Sequence, residues 1–472
     1  MPDLSCDVAI IGAGTAGLAA ERSARRSGAS THLIDDGFSG TTCTTVGCMP
    51  SKLLIAAADA AHAVRQAEVF GIEARGPLID GAAVMARLRR ERDGFVESVK
   101  QSFRALPEGV ALTGRARFID RTTLDIGEGR RVSARAVVIA TGAAPSEPEA
   151  FDAVKSHVLT NDTLFDLETL PQSVGVVGAG PLGLELAQAL ARLGVEVQVF
   201  DQSETLAVLS DPEVAKDLRR ILEREFPIHL GVALSASLAE GGVQLAWAGD
   251  APGEHRFDRI LVAAGRPPRI EGLELTRTGV TLDAHGSPCF DPATLQCDGS
   301  SIFIAGDAAH DQPVLHVASE EGTIAGHNAA SFPKVTPGRR TTPLAIMFTD
   351  PPLAVIGAKR QPADGNQVVG AASYEDQGRA KMTARNAGLV HVYADVADGR
   401  LTGASMVGPG VEHTAHLIAW SIQEGRTATE ILDLPFYHPT YEEGLKPALR
   451  QICETIHAPT PADRDQGILP GS

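Results

Sequence analysis

Asp7-Val8-Ala9-Ile10-Ile11-Gly12-Ala13-Gly14-Thr15-Ala16-Gly17 decides the fold of this chain. A short apolar run ends in a G-x-G-x-x-G turn, the pattern of a strand feeding a helix around a pyrophosphate. The glycines permit the tight turn and let the backbone approach phosphate, which sits at the positive end of the helix. One such turn is weak evidence, but the chain repeats it. Gly178-Ala179-Gly180-Pro181-Leu182-Gly183 follows the apolar run Ser173–Val177, and each landmark recurs 166 positions later. Gly12 matches Gly178, Gly17 matches Gly183, Gly28 matches Gly194 and Asp35 matches Asp201. Each unit reads as a strand, a helix ending at a glycine, and a second strand (Thr31–Ile34 and Glu196–Phe200). The aspartate closing that second strand is placed to accept from a ribose hydroxyl. The repeat predicts an α/β chain with two Rossmann-like domains and two bound dinucleotides.

Between the two units lies Gly40-Thr41-Thr42-Cys43-Thr44-Thr45-Val46-Gly47-Cys48-Met49-Pro50-Ser51-Lys52. A lone C-x₄-C pair is a poor zinc site, because zinc clusters use tighter pairs in sets, and no metal is expected. The spacing suits a redox disulfide on one condition. Residues five apart on a regular helix sit roughly 9 Å apart, beyond the ~7 Å limit for a bridge. The segment must therefore bend, and Gly47 supplies the freedom. Pro50 is expected to open a helix over Ser51–Ala63, whose N-terminus favours a thiolate at Cys48. Two dinucleotides beside such a pair imply electrons moving between nicotinamide, flavin and disulfide.

The remaining four cysteines, Cys6, Cys289, Cys297 and Cys453, share no motif spacing. Six cysteines in 472 residues do not describe a disulfide-scaffolded secreted protein. A net charge of −17 argues against a nucleic-acid partner, and no apolar run approaches the ~20 residues of a membrane span. With no basic, apolar leader at Met1, the expectation is a soluble cytoplasmic protein. Asp211–Phe226 carries a mixed charged face and reads as a solvated helix. Val84–Leu106 reads as helix-rich, and Gly388–Tyr393 alternates with the period of a strand.

These residues carry a resemblance. Along nearly its whole length the chain resembles the flavoprotein disulfide reductases, and within them the dihydrolipoamide dehydrogenases. The redox segment is similar to that family's Gly-Gly-Thr-Cys-x₄-Cys-x-Pro-Ser-Lys, with Thr41 replacing the second glycine. Ala140-Thr141-Gly142 resembles the exit from the flavin domain, and Ile304-Ala305-Gly306-Asp307 the second flavin motif. Phe348-Thr349-Asp350-Pro351 resembles the entry to the dimerisation domain, and His438-Pro439-Thr440-Tyr441-Glu442-Glu443 the C-terminal segment carrying the catalytic base.

The resemblance implies four segments: residues 1–149 begin the FAD domain, 150–267 form the NAD domain, 268–337 return to the flavin, and 338–472 form an α+β dimerisation domain. FAD is expected at Gly12, Gly14, Gly17, Asp35, Thr42, Lys52, Thr141, Gly142, Gly306 and Asp307. NAD(H) is expected at Gly178, Gly180, Gly183, Asp201 and Gly265. Cys48 is expected against the flavin, with Cys43 exchanging with substrate sulfur and Lys52 pairing with Glu185 beside the flavin ring. His438, oriented by Glu443, is expected to serve the other subunit of a homodimer. The substrate implied is dihydrolipoamide or a lipoyl-carrier protein. The alternatives are an NAD(P)H-driven reductase of another small disulfide, and a flavoprotein subunit docked in a lipoyl-carrying complex. Phe436 stands where the dihydrolipoamide enzymes usually carry a second histidine. Pro50-Ser51-Lys52 departs from glutathione reductases, and a tail to Ser472 without vicinal cysteines departs from mercuric reductases.

Overall fold

Leu4–Ile11 is the central strand of the first of four sheets in the computed structural model, which describes residues 4–207, 209–361 and 365–461. It runs parallel to Thr31–Asp35 on one side and to Arg131–Ile139 on the other. Val8, Ala9 and Ile10 are fully buried, as expected of a parallel strand covered on both faces. The last parallel strand of this sheet, Ile302–Ile304, arrives after the whole second unit and pairs with Arg131–Ile139. The chain thus comes back to its first sheet at Ile302.

The second sheet is parallel throughout, in the order Ile228–His229, Glu196–Phe200, Ser173–Val177, Arg259–Val262 and Val158–Leu159. The repeat extends to atomic detail. A Cβ on Gly12 would lie 2.4 Å from the Ala140 carbonyl oxygen, and one on Gly178 would lie 2.5 Å from that of Ala263. Gly17 and Gly183 pack against the carbonyls of Gly12 and Gly178, where a Cβ would approach to 1.8 and 1.9 Å. Both sites accept only glycine. Gly14 and Gly180 have open space instead, so their backbone can meet a ligand.

Helix Thr15–Arg26 packs on helix Leu315–Ser331 through Gly322 and Gly326, where a Cβ would approach the Ala16 and Ala20 carbonyls to 2.1 and 2.2 Å. A three-stranded antiparallel sheet (Ala233–Ala239, Gly242–Ala248, Gly253–Phe257) flanks the second unit. The C-terminal part is an antiparallel sheet of five strands with helices Val411–Gln423 and Lys446–Thr455. Among the described residues no helix is long and apolar enough to cross a membrane.

Three expectations need correction. Helix Pro212–Leu222 is not merely solvated: Val214, Leu218, Ile221 and Leu222 form a buried stripe with i, i+4, i+7 spacing, leaving the charges outside. Its N-cap Asp211 is completely buried among His391, Tyr393 and Arg360 of the C-terminal part. Second, the strand read as alternating at Gly388–Tyr393 is Leu389–Asp395, buried at five successive positions because it is covered on both faces. Third, the helix after the cysteines begins at Cys48, not Ser51, and runs to Gln66. Pro50 is its third residue, tolerated where backbone N–H groups have no helical acceptor. The helix-rich stretch is one helix, Gly81–Arg104. Residues 462–472, on which the reading of the tail partly rests, lie outside the described residues.

Candidate active site

Cys43 and Cys48 sit on two different helices, which is how the chain meets the geometric demand on the pair. Cys43 lies in the one-turn helix Thr42–Thr45 and Cys48 opens the next. Thr41, the departure from the family pattern, caps the first helix in a capping box with Thr44. Between the helices Gly47 passes so near Thr42 that a Cβ would lie 2.8 Å from its carbonyl oxygen. Close approach therefore requires glycine here. Cys43 and Cys48 are free cysteines whose surroundings make them unlike. The hydrogen bond from Cys43 and the Lys52 ammonium outweigh burial and hold the Cys48 thiol down at about 6. Donating to Cys48, together with burial, pushes Cys43 up.

Both cysteines line a cavity of about 280 Å³ that also receives Gly14, Lys52, Glu185 and Asp307. The predicted charge pair is present: Lys52 Nζ lies 2.6 Å from Glu185 Oε2, with the Glu185 side chain only 5% exposed. Glu185 Oε1 accepts from the Phe348 amide at 2.7 Å, and Lys52 stands 4.7 Å over the Phe348 ring. A buried carboxylate is thus satisfied at both oxygens. Burial raises the Asp307 carboxyl, against the opposing attraction of Arg266.

Arg266 and Asn161, which the sequence reading did not select, also line this cavity. No periodicity or spacing distinguishes Asn161. Glu321, also missed, is buried and accepts from the Gly306 amide at 2.8 Å and from Arg340 at 2.7 Å.

In the second unit the Asp201 carboxylate accepts from the Ala179 amide at 2.6 Å and the Ser203 amide at 2.8 Å. Asp35 does the same for Ala13 at 3.0 Å and for Gly37 and Phe38 at 3.0 and 2.7 Å. Each aspartate therefore closes its own glycine turn as well as standing at the strand end. Gly265 has φ +106° and open space around it. His438 and Glu443 do not join the cavity. They pair with each other, Nδ1 to Oε2 at 3.1 Å, on the C-terminal part, with the imidazole 42% exposed. Glu443 also accepts from the Thr440 amide at 3.2 Å, which fixes the carboxylate behind the ring. Phe436 lies under the Lys446 ammonium at 5.2 Å.

Two glycine-turn folds and a dithiol set beside a buried ion pair define a class, the dinucleotide-dependent dithiol–disulfide oxidoreductases. Residues 6–322 match the family of pyridine nucleotide-disulphide oxidoreductases and residues 344–449 match its dimerisation domain. The chain belongs to that family. It is 32% identical over 469 residues to a dihydrolipoyl dehydrogenase of Haloferax volcanii, covering 96% of this chain and 97% of that one. It is also 32% identical over 467 residues to a mercuric reductase of Shigella flexneri, covering 95% of this chain and 81% of that one. Among solved structures, LpdA from Mycobacterium tuberculosis superposes with a TM-score of 0.82 at 24% identity, covering 94% of this chain and 99% of that one. The flavoprotein disulfide reductase RclA from Escherichia coli gives 0.80 at 20% identity, covering 95% of this chain and 99% of that one.

The family uses FAD and a pyridine nucleotide, and the cavity fits the flavin cofactor. Thr141, between the cavity-lining Ala140 and Gly142, has a buried hydroxyl with no hydrogen-bond partner among the described residues. Gly14 and Gly142 leave open space. When bound, FAD would supply two-electron redox chemistry to this site.

Proposed function

We propose that this chain is a cytoplasmic, homodimeric dihydrolipoamide dehydrogenase that passes electrons to NAD⁺. The observation carrying the proposal is the Cys43–Cys48 pair in the lining of the Lys52–Glu185 cavity, with Cys48 favoured as a thiolate and Cys43 as a thiol. His438, aligned by Glu443, takes a proton from one substrate thiol. That sulfur attacks Cys43, the Cys43–Cys48 bond breaks, and Cys48 leaves as a thiolate. The second substrate thiol then displaces Cys43, releasing the cyclic disulfide. Cys48, which lines the cavity, would stand against the flavin, and NAD⁺ finally accepts two electrons and one proton as hydride. Overall, dithiol and NAD⁺ give disulfide, NADH and one proton.

Because His438 stands outside the cavity of its own chain, its thiol partner is read as the Cys43 of a second copy. Lys52 and Glu185 set the charge beside the flavin. Asp201 selects NAD(H), since a 2′-phosphate beside a carboxylate meets like charge, and Gln202, Ser203 and Glu204 supply no cation. Thiols that must cycle require a compartment where other cysteines stay reduced, which supports the cytoplasm.

Steady-state assays test the proposal with dihydrolipoamide and NAD⁺ in one direction, and with glutathione disulfide or Hg(II) and NAD(P)H in the other. Dihydrolipoamide should show the largest kcat/KM. A larger value for glutathione disulfide would favour the small-disulfide reductase, and one for Hg(II) the activity named for the mercuric reductase relatives. A carrier-bound lipoyl domain turned over faster than the free amide would favour docking in a multienzyme complex.

A further inference from the structure

Val46 lies between the two cysteines, at the bend that brings them together, and its carbonyl is gripped from outside the loop. Asn161 Nδ2 donates to Val46 O at 2.8 Å. The side chain that does this is 97% buried, since Asn161 is 3% exposed. Its oxygen is occupied as well: Arg266 Nη1 donates to Asn161 Oδ1 at 2.9 Å, and Arg266 Nη2 donates to the Ala143 carbonyl at 3.0 Å. Asp162 completes the knot, accepting from Asn161 Nδ2 at 2.9 Å.

The anchor is rigid for a reason of topology. Asn161 follows the strand Val158–Leu159, and Arg266 follows Arg259–Val262. These strands are hydrogen-bonded neighbours in the sheet of the second unit, with Ile260 opposite Val158 and Leu261 opposite Leu159. The second sheet therefore holds the redox loop of the first unit through one amide and one guanidinium. A buried amide using both its donor and its acceptor leaves little freedom to rotate.

We propose that Asn161, locked by Arg266, is a positioning residue that fixes the Val46–Gly47 bend and thereby sets the equilibrium between the Cys43–Cys48 dithiol and its disulfide. The inference rests on the reading of Cys43 and Cys48 as the redox pair. Holding two sulfurs in contact raises their effective concentration and favours the bond. Freeing the loop lowers it, so the pair shifts toward the dithiol.

The test equilibrates the FAD-loaded protein with dithiothreitol redox buffers, in which the protein disulfide and dithiothreitol exchange for the dithiol and oxidised dithiothreitol. Alkylation and mass spectrometry then count free Cys43 and Cys48. In Asn161→Ala and Asn161→Asp the equilibrium should move about tenfold toward the dithiol, roughly 30 mV for a two-electron couple. The equilibria are compared at equal flavin loading, since Asn161 also lines the cavity. Asn161→Asp keeps an acceptor for Arg266 but no donor for Val46, so a wild-type equilibrium in it would overturn the proposal. Should Asn161→Ala not fold, this isosteric variant carries the test alone. Failure of the wild type to form any Cys43–Cys48 disulfide would instead overturn the reading of function beneath it.

Discussion

Cys48 and Cys43 are five residues apart, yet their chemistry differs because only one is stabilised as an anion. The bond from Cys43 is the largest cause, burial opposes it, and Lys52 lowers the thiol further, so the asymmetry can be dismantled one side chain at a time. In reduced protein, Cys48 alkylation by iodoacetamide should rise with pH through about 6 and level off above it. Cys43→Ala removes the donor, and the midpoint should move upward toward an ordinary thiol near 8.5. An unchanged midpoint would show that Cys43 does not hold the thiolate. For turnover, Cys43→Ser and Cys48→Ser should each lower kcat with dihydrolipoamide by on the order of 10³-fold or more while retaining flavin. Normal turnover in either would rule out the disulfide exchange. Coenzyme choice is also a matter of one residue: Asp201→Ala should lose most of the NADH-over-NADPH preference, read as the ratio of kcat/KM values. A wild type that prefers NADPH would contradict the assignment to this carboxylate. The cysteines, the glycines and Lys52 were legible because each is tied to a short motif. Asn161 and Glu321 were not, since an amide or carboxylate acquires its meaning from backbone groups that are remote in the chain.

Helix Pro212–Leu222 shows where an element outruns its sequence. Its proline at the first position and its aspartate cap were plain, and Asp211 accepts from the Glu213 and Val214 amides at 3.1 and 3.2 Å. What could not be read locally was that the same carboxylate accepts from His391 Nδ1 at 2.7 Å and Tyr393 Oη at 2.8 Å, both about 180 residues away, joining the second unit to the C-terminal sheet. Burial alone would raise this carboxyl; the bonds from His391 and Tyr393, with that from the Val214 amide, outweigh it and hold it well below the usual range. A group depressed in the folded state contributes stability above its unfolded value near 3.9 and loses it as pH falls toward the folded one. Asp211→Asn should therefore destabilise the protein at pH 7 by about 3–5 kcal/mol, the usual cost of breaking a buried charge network. The gap in thermal midpoint between wild type and variant should narrow below about pH 4. A gap independent of pH would assign the loss to packing instead. The paired glycine turns, by contrast, were readable because their constraint lies within one unit.

At the scale of the whole molecule, the proposed function turns on the separation of His438 from the cavity, which a second copy would close. Its own chain places the Glu443-aligned imidazole outside the cavity, 42% exposed, on the part matched to the dimerisation domain. In a twofold dimer such an interface would be isologous, so each histidine would reach the partner's dithiol and two equivalent composite sites would result. The arrangement can be tested with proteins that are individually inactive. Cys43→Ser lacks the exchanging sulfur and His438→Ala lacks the base. In a heterodimer of the two, one composite site contains both substitutions and the other contains neither. Mixed subunits should recover close to half of the wild-type activity per heterodimer with dihydrolipoamide, and recovery should track the heterodimer fraction measured by native mass spectrometry. Absence of recovery in a preparation that contains heterodimers would place base and dithiol in one chain. The C-terminal part would then have to move until His438 reached its own Cys43.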